Sequence, residues 1–485
     1  MPAGRIKEFN TRMSREGKLV KNTFIISIGT FLPKLAAFIT LPILTGCLAK
    51  EEYGVYELIM DMVSLLLPTA TLQIQTAAFR FLIDRRDKTD DVKKIVTNIF
   101  VFIVPIALLA LTILFFAMFF FLPNEQTVLK LLICLYFFVD ILVNATRQIA
   151  RGLNKNLFYS VSAVVSAVCK MLFALLFVQY LQIGLFGAVL SLALASLVSL
   201  IVLLITSKIH RYIDLSKVSW GQIKELICYS WPMVPNSMSM WVMRLSDRFV
   251  ITGFMGLAPV AVYSAANKLP SMLTLAQTTF TMAWQENASI VSKDKDAGAY
   301  YSSMFRTMFD LMAGFMGVLI AATPILFKIL IRGDYSESYP HIPILFLAMF
   351  FFSMCAFLGG IYVAYMDTKS VGVTTVVAAI CNLVINLAAI KFIGIYAASI
   401  STLVSYILLY VYRMFHVRKL VEIRYQPLHI LIVIALLVVE CTLCFFRNTY
   451  LNLLNAAIGV IAFVILNQPL IKTCWKKAAK MLKRA

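Results

Sequence analysis

The feature that most constrains this chain is a succession of apolar stretches, each about twenty residues long and separated by a short polar break. About fourteen such stretches occur, at 22–46, 55–78, 95–121, 127–149, 157–180, 184–207, 223–253, 257–285, 303–331, 342–366, 370–392, 395–413, 428–446 and 450–470. A helix needs roughly 20 apolar residues to cross the hydrocarbon, and it satisfies its own backbone there without water. The expected fold class is therefore all-α, a polytopic integral membrane protein. Composition agrees, with 61% hydrophobic and 14% charged residues against about 45–50% and about 25% in soluble domains. Fourteen spans in 485 residues leave little room for a domain outside the lipid. A secreted enzyme, a nucleic-acid-binding protein and a disordered tail protein are excluded, and the net charge of +20 bears on topology rather than on polyanions.

The nine cysteines, odd in number and mostly within apolar runs, show no metal-like clustering. Cys441 and Cys444 read as packing residues. The first twenty or so residues are polar and basic, and the apolar run that follows is too long for a signal-peptide core, so this segment reads as an uncleaved cytoplasmic tail. Of the 44 Lys and Arg, about 33 fall on the side of the N-terminus and about six on the other. The six are Lys50, Lys130, Lys328, Arg332, Lys391 and Arg447. This asymmetry places both termini in the cytoplasm.

The longest inside connection follows the sixth span. It divides the chain into a basic N-terminus (1–21), an N-lobe of six spans (22–207), a linker (208–222), a C-lobe of six spans (223–413), a terminal helix pair (414–470) and a basic tail (471–485). A weak internal repeat supports the cut: Leu48 to Tyr56 aligns with Met255 to Tyr263, each segment being the turn between the first two spans of its half.

Ionisable groups inside spans need a reason. The first span carries Lys34 beside Pro33; the seventh carries Arg244, Asp247 and Arg248, whose spacing sets them on one helix face; the eighth carries Lys268 before Pro270. Asp61, Asp140, Asp310 and Glu440 are the acids of the second, fourth, ninth and thirteenth spans. Lys170 in the fifth stands apart and reads as packing or snorkelling. Lys34, Arg244, Arg248 and Lys268 sit on the helices that open each lobe, which points to a polar cavity whose cationic lining accepts a phosphate or pyrophosphate. The competing reading has Asp247 neutralising Arg248 or Arg244 as a buried packing pair. Asp61 and Asp247 are candidates for coupling or ion pairing. Prolines 33, 42, 232, 235 and 270 bend the same helices. The four histidines lie near span ends without ligand spacing, and neither a metal site nor a cofactor-binding motif is expected.

The segments KNTFIISIGTFLPKLAAFITLPILTGCLAKEEYGVYELI, AFRFLIDRRDKTDDVKKIVTN and above all LSDRFVITGFMGLAPVAVYSAANKLP resemble the Wzx-type polysaccharide flippases. That family shares a superfamily with the multidrug and toxic-compound extruders and the lipid II flippases. The resemblance is clear over roughly the first 300 residues and departs at Ala261, where glycine is expected. It implies a bacterial inner-membrane carrier, not an enzyme. Its substrate would be an undecaprenyl-pyrophosphate-linked oligosaccharide, moved from the cytoplasmic to the outer leaflet by alternating access for capsule, O-antigen or exopolysaccharide assembly. Lys34, Arg244, Arg248 and Lys268 would line the cavity, the bilayer would hold the lipid tail, and a glycan polymerase would be the implied partner. A multidrug antiporter of the same superfamily is the nearest rival, but it should line its cavity with carboxylates. A membrane-embedded glycan polymerase or ligase would show a large outer loop, and the outer connections here are mostly under about ten residues.

Overall fold

A computed structural model describes residues 29–121, 126–292, 294–472 and 475, and every regular element among them is helical. The basic N-terminus at 1–21, and all but a few positions of the tail at 471–485, lie outside the described residues. The helices are α1 (Gly29–Cys47), α2 (Lys50–Ala70), α3 (Ile74–Arg85), α4 (Thr89–Phe121), α5 (Thr127–Gly152), α6 (Asn156–Ala174, continued by a π-helical turn Leu175–Tyr180) and α7 (Gly184–Ser207). They continue with α8 (Trp220–Ser230), α9 (Met233–Met255), α10 (Leu257–Val291), α11 (Ala297–Leu330), α12 (His341–Ala364), α13 (Thr368–Ile393), α14 (Tyr396–His416), α15 (Pro427–Phe445) and α16 (Thr449–Leu466).

Among the described residues, eleven helices are long and apolar enough to cross a membrane, and twelve when α2 and α3 count as one bent span. That is fewer than the fourteen expected from hydropathy: α9 and α10, which carry the polar side chains described below, are not among these candidate spans. Large apolar side chains point outward along them, including Ile113 and Phe116 of α4 and Leu431 of α15, each more than 60% exposed. Lipid, not water, is the solvent that accepts such surfaces.

Two spans differ from the continuous helices that hydropathy suggests. The second bends by 57° between α2 and α3. Leu72 and Gln73 take positive φ there, at 46° and 58°. Side chains satisfy the interrupted backbone: the Thr71 hydroxyl donates to the Leu67 carbonyl (2.7 Å) and that of Ser230 to the Leu72 carbonyl (2.8 Å). The seventh, expected as one helix over 223–253, is instead α8 and α9 with a turn at Trp231 and Pro232. Proline has no N–H to continue the ladder, and a second one, Pro235, opens α9.

The chain divides into two compact units, Met1–Met238 and Ser239–Ala485, so the division falls inside α9. In the first, α5 packs on α3, α4 and α7, α6 packs on α7, and α8 packs on α3 and α4. Arg147 of α5 donates to the Ser162 hydroxyl and carbonyl (both 3.1 Å) and to the Ser199 hydroxyl (2.9 Å), tying α5 to α6 and α7. Glu52 accepts from its own helix start, Ala49 N–H (3.0 Å), and from the start of α7, Leu185 N–H (3.1 Å). A carboxylate suits both helix N-termini because their first N–H groups are unpaired and the dipole is positive there.

In the second unit α12 packs on α10 and α14, α13 on α14, and α11 on α15 and α16. Trp284 of α10 is buried against Phe357 of α12, ring centroids 4.3 Å apart, and its indole N–H donates to the Phe357 carbonyl (2.9 Å). Arg413 of α14 is buried too, donating to the Cys355 carbonyl of α12 (2.9 Å) and to the Thr374 and Thr375 hydroxyls of α13 (3.1 and 3.0 Å).

Candidate functional site

Helices α9 and α10 are joined by one residue, Gly256, at φ 90°, a conformation that favours glycine because a Cβ would crowd the backbone. Ala261, where glycine is expected by resemblance, lies inside α10 rather than in the turn and is fully buried. The aligned segments 48–56 and 255–263 each hold a short turn, α1 to α2 and α9 to α10, and continue into the following helix.

Asp247, on α9, is 2% exposed. Its Oδ2 accepts from the Tyr263 phenol of α10 (2.9 Å) and the Thr402 hydroxyl of α14 (2.8 Å), and its Oδ1 from the Asn386 amide of α13 (2.8 Å). With the Asn382 amide turned so that its nitrogen faces Asp247, a further bond of 3.2 Å reaches Oδ1. These partners are all uncharged. The packing-pair reading, in which Asp247 spends its carboxylate on an arginine, is not what the hydrogen bonds display. Instead Asp247 joins four helices of one unit at a single buried point.

The same cluster gathers oxygens. The Asn386 amide oxygen is buried without a hydrogen-bond donor, and Thr402 also lies 2.8 Å from the Ala398 carbonyl. The Thr402 hydroxyl has one proton to share between Asp247 Oδ2 and the Ala398 carbonyl.

Side chains are described for three of the four expected cavity cations. Arg248 is 8% exposed on α9, Lys268 is half-buried on α10, and Lys34 is exposed on α1. The side chain of Arg244 lies outside the described residues. Asp61 of α2 is buried. The polar residues that complete the Asp247 cluster, Asn382, Asn386 and Thr402, are not among the sequence candidates. Their available signal is the i, i+4 pair of asparagines in an otherwise apolar helix.

Comparison with known proteins gives the wider context. The model of a family described as polysaccharide biosynthesis protein matches residues 19–285. An uncharacterized membrane protein of Methanocaldococcus jannaschii is 23% identical over 451 residues, covering 84% of this chain and 86% of its own. The lipid II flippase MurJ, in an inward closed conformation, superposes with a TM-score of 0.67 at 14% identity, over 93% of this chain and 99% of its own. A multidrug resistance transporter of the MATE family, MOP superfamily, gives 0.66 at 12%, over 82% and 98%. A MOP superfamily transporter from Pyrococcus furiosus, described by the reverse polarity of its binding pocket, gives 0.56 at 12%, over 83% and 95%. At such identities the likeness is one of fold, that of the MOP superfamily transporters.

Proposed function

We propose that this chain, which belongs to the polysaccharide biosynthesis protein family, is a flippase for an undecaprenyl-pyrophosphate-linked oligosaccharide. It moves that lipid from the inner to the outer leaflet of a bacterial cytoplasmic membrane by alternating access, with both termini cytoplasmic. Arg244, Arg248, Lys268 and Lys34 bind the pyrophosphate. Two guanidinium groups grip phosphate oxygens as planar forks and the lysines add point charges. A pyrophosphate entering a low-dielectric environment needs such compensation, since an unpaired buried charge costs several kcal/mol.

The observation that carries this reading is the engagement of Asp247 with Tyr263, Asn386 and Thr402. The acid nearest in sequence to Arg248 directs its hydrogen bonds to uncharged groups, which supports an anion-binding role for the cations of α9 over a packing pair with Asp247. Asp247, and Asp61 in the first unit, are the carboxylates assigned to coupling, through a proton or cation whose occupancy changes as transport proceeds.

Complementation of a flippase-null strain, scored beside protein level, tests the proposal. Arg248→Ala and Arg244→Ala abolish export from protein that still reaches the membrane, while the lysine variants, which keep charge but lose the fork, retain part of it. Full export from well-folded alanine variants at both positions would falsify the cationic-site reading.

A further inference from the structure

Along α11, Asp310, Gly314 and Gly317 fall at i, i+4 and i+7 on one face. The first is 2.6 Å from the His429 ring of α15 and 3.8 Å from Arg306. This pair adjoins a cavity of about 280 Å³ lined by Arg306, Arg424, Ser302, Gln426 and His429 itself. Next along the face, Asn467 donates to the Asp310 carbonyl (3.3 Å) and packs so closely on Gly314 that a Cβ there would lie 2.6 Å from its amide nitrogen. Gly317 then carries the carboxyl group of Glu440 from α15, whose Oε2 would lie 2.7 Å from a Cβ at that position.

Glu440 is 0% exposed, and neither of its carboxyl oxygens has a hydrogen-bond partner. Asn455 of α16 donates to its backbone carbonyl (3.1 Å) and not to the carboxyl. The amide oxygens of Asn455 and Asn467 are likewise buried and unfilled. Four acceptor oxygens on three residues are therefore without donors, and two of those residues, Asn467 and Glu440, lie on the α11 face that begins at Asp310 beside the cavity. A buried carboxylate so placed would be an uncompensated charge, whereas a carboxylic acid is neutral. Other titratable groups stand to either side: Cys441 beside it, Asp310, Arg306 and His429 toward the cavity, and Cys444 and Lys328 toward the opposite end.

We propose that Glu440 is a proton-binding site inside the α11, α15 and α16 bundle, loaded from the cavity through the His429–Asp310 pair. Binding places the proton on one Glu440 oxygen and leaves no charge against Gly317. Release creates an anion with no donor beside it, so the packing of the terminal helix pair on α11 is linked to proton occupancy. The site goes beyond the flippase reading and is independent of it, because the test below requires no transport.

Infrared difference spectra of the full-length protein in liposomes read the site directly. The carboxylic-acid C=O band present at neutral pH is lost in Glu440→Gln and moves, without loss, in Glu440→Asp, so a poorly folded glutamine variant does not decide the matter. In D2O the band's isotope shift develops severalfold more slowly in His429→Gln and in Asp310→Asn. Spectra of wild type and both Glu440 variants that coincide in this region overturn the site. An exchange rate unchanged by both cavity variants overturns the route.

Discussion

Tyr263 and Asp247 meet across the one-residue turn at Gly256, the phenol donating to Oδ2 at 2.9 Å, and Thr402 shares the same oxygen at 2.8 Å. A hydrogen bond to a charged group contributes about 1.5–3 kcal/mol. Tyr263→Phe and Thr402→Val should each lower the unfolding temperature. Because they share one acceptor, their effects should couple by about 0.5–3 kcal/mol in a double-mutant cycle. Strict additivity would show that the two helices do not meet at this carboxylate.

Gly184 starts α7 at φ 54°, and a Cβ there would approach Glu52 Oε1 to 2.5 Å. Gly184→Ala therefore combines backbone strain with displacement of a helix cap, and should destabilise by about 1–3 kcal/mol. Glu52→Gln keeps an acceptor and should cost less. Thermal unfolding in detergent ranks the two, and an equal or reversed order would contradict the shared cap.

At Gly360 an added Cβ would lie 2.6 and 2.7 Å from the indole of Trp284. The ring cannot retreat without breaking its bond to the Phe357 carbonyl and its stacking on Phe357. Gly360→Ala should cost about 1–3 kcal/mol as an overpacked core, visible as a lower melting point and a changed tryptophan emission. A neutral outcome would mean that α10 and α12 are less tightly packed than described.

Asp214 lies in the connection after α7, outside the spans. The Ser216 hydroxyl foremost, with the Ser216 N–H, Lys93 and Lys217, holds its carboxyl below the usual carboxylate range. A depressed folded value contributes stability above the unfolded value of about 3.9, and that stability is lost as pH falls through the folded one. The stability gap between wild type and Asp214→Asn should therefore be constant above about pH 5 and close at lower pH. A gap that widens on acidification would reverse the sign.

Much of this architecture is legible from hydropathy because lipid leaves helices as the structure that satisfies its backbone. The breaks are harder to read. Pro232 suggests a kink, yet with Pro235 close behind it the chain separates into α8 and α9. The bend at Leu72 and Gln73 has neither glycine nor proline at the residues with positive φ, and its hydroxyl and amide partners come from Ser230 and Ser237, more than 150 residues away. The site divides in the same way. Asp247 is conspicuous as an acid in an apolar run, but its partners Asn386 and Thr402 stand 139 and 155 residues further on. Nothing local in the sequence tells a carboxylate which distant helix will pack against it. Glu440 is visible as an acid in a span, while its lack of a donor depends on the glycine opposite.

The double cap at Glu52 carries a consequence for biogenesis. Its partner Leu185 lies 133 residues downstream, and a ribosome adding about 5–20 residues per second needs on the order of ten seconds to deliver it. During that interval the nascent α2 holds a carboxylate engaged only with its own first turn. A translational pause or premature stop before α7 would thus release a half-assembled unit with an anchoring acid still exposed, a state that membrane quality control could tell from the finished one.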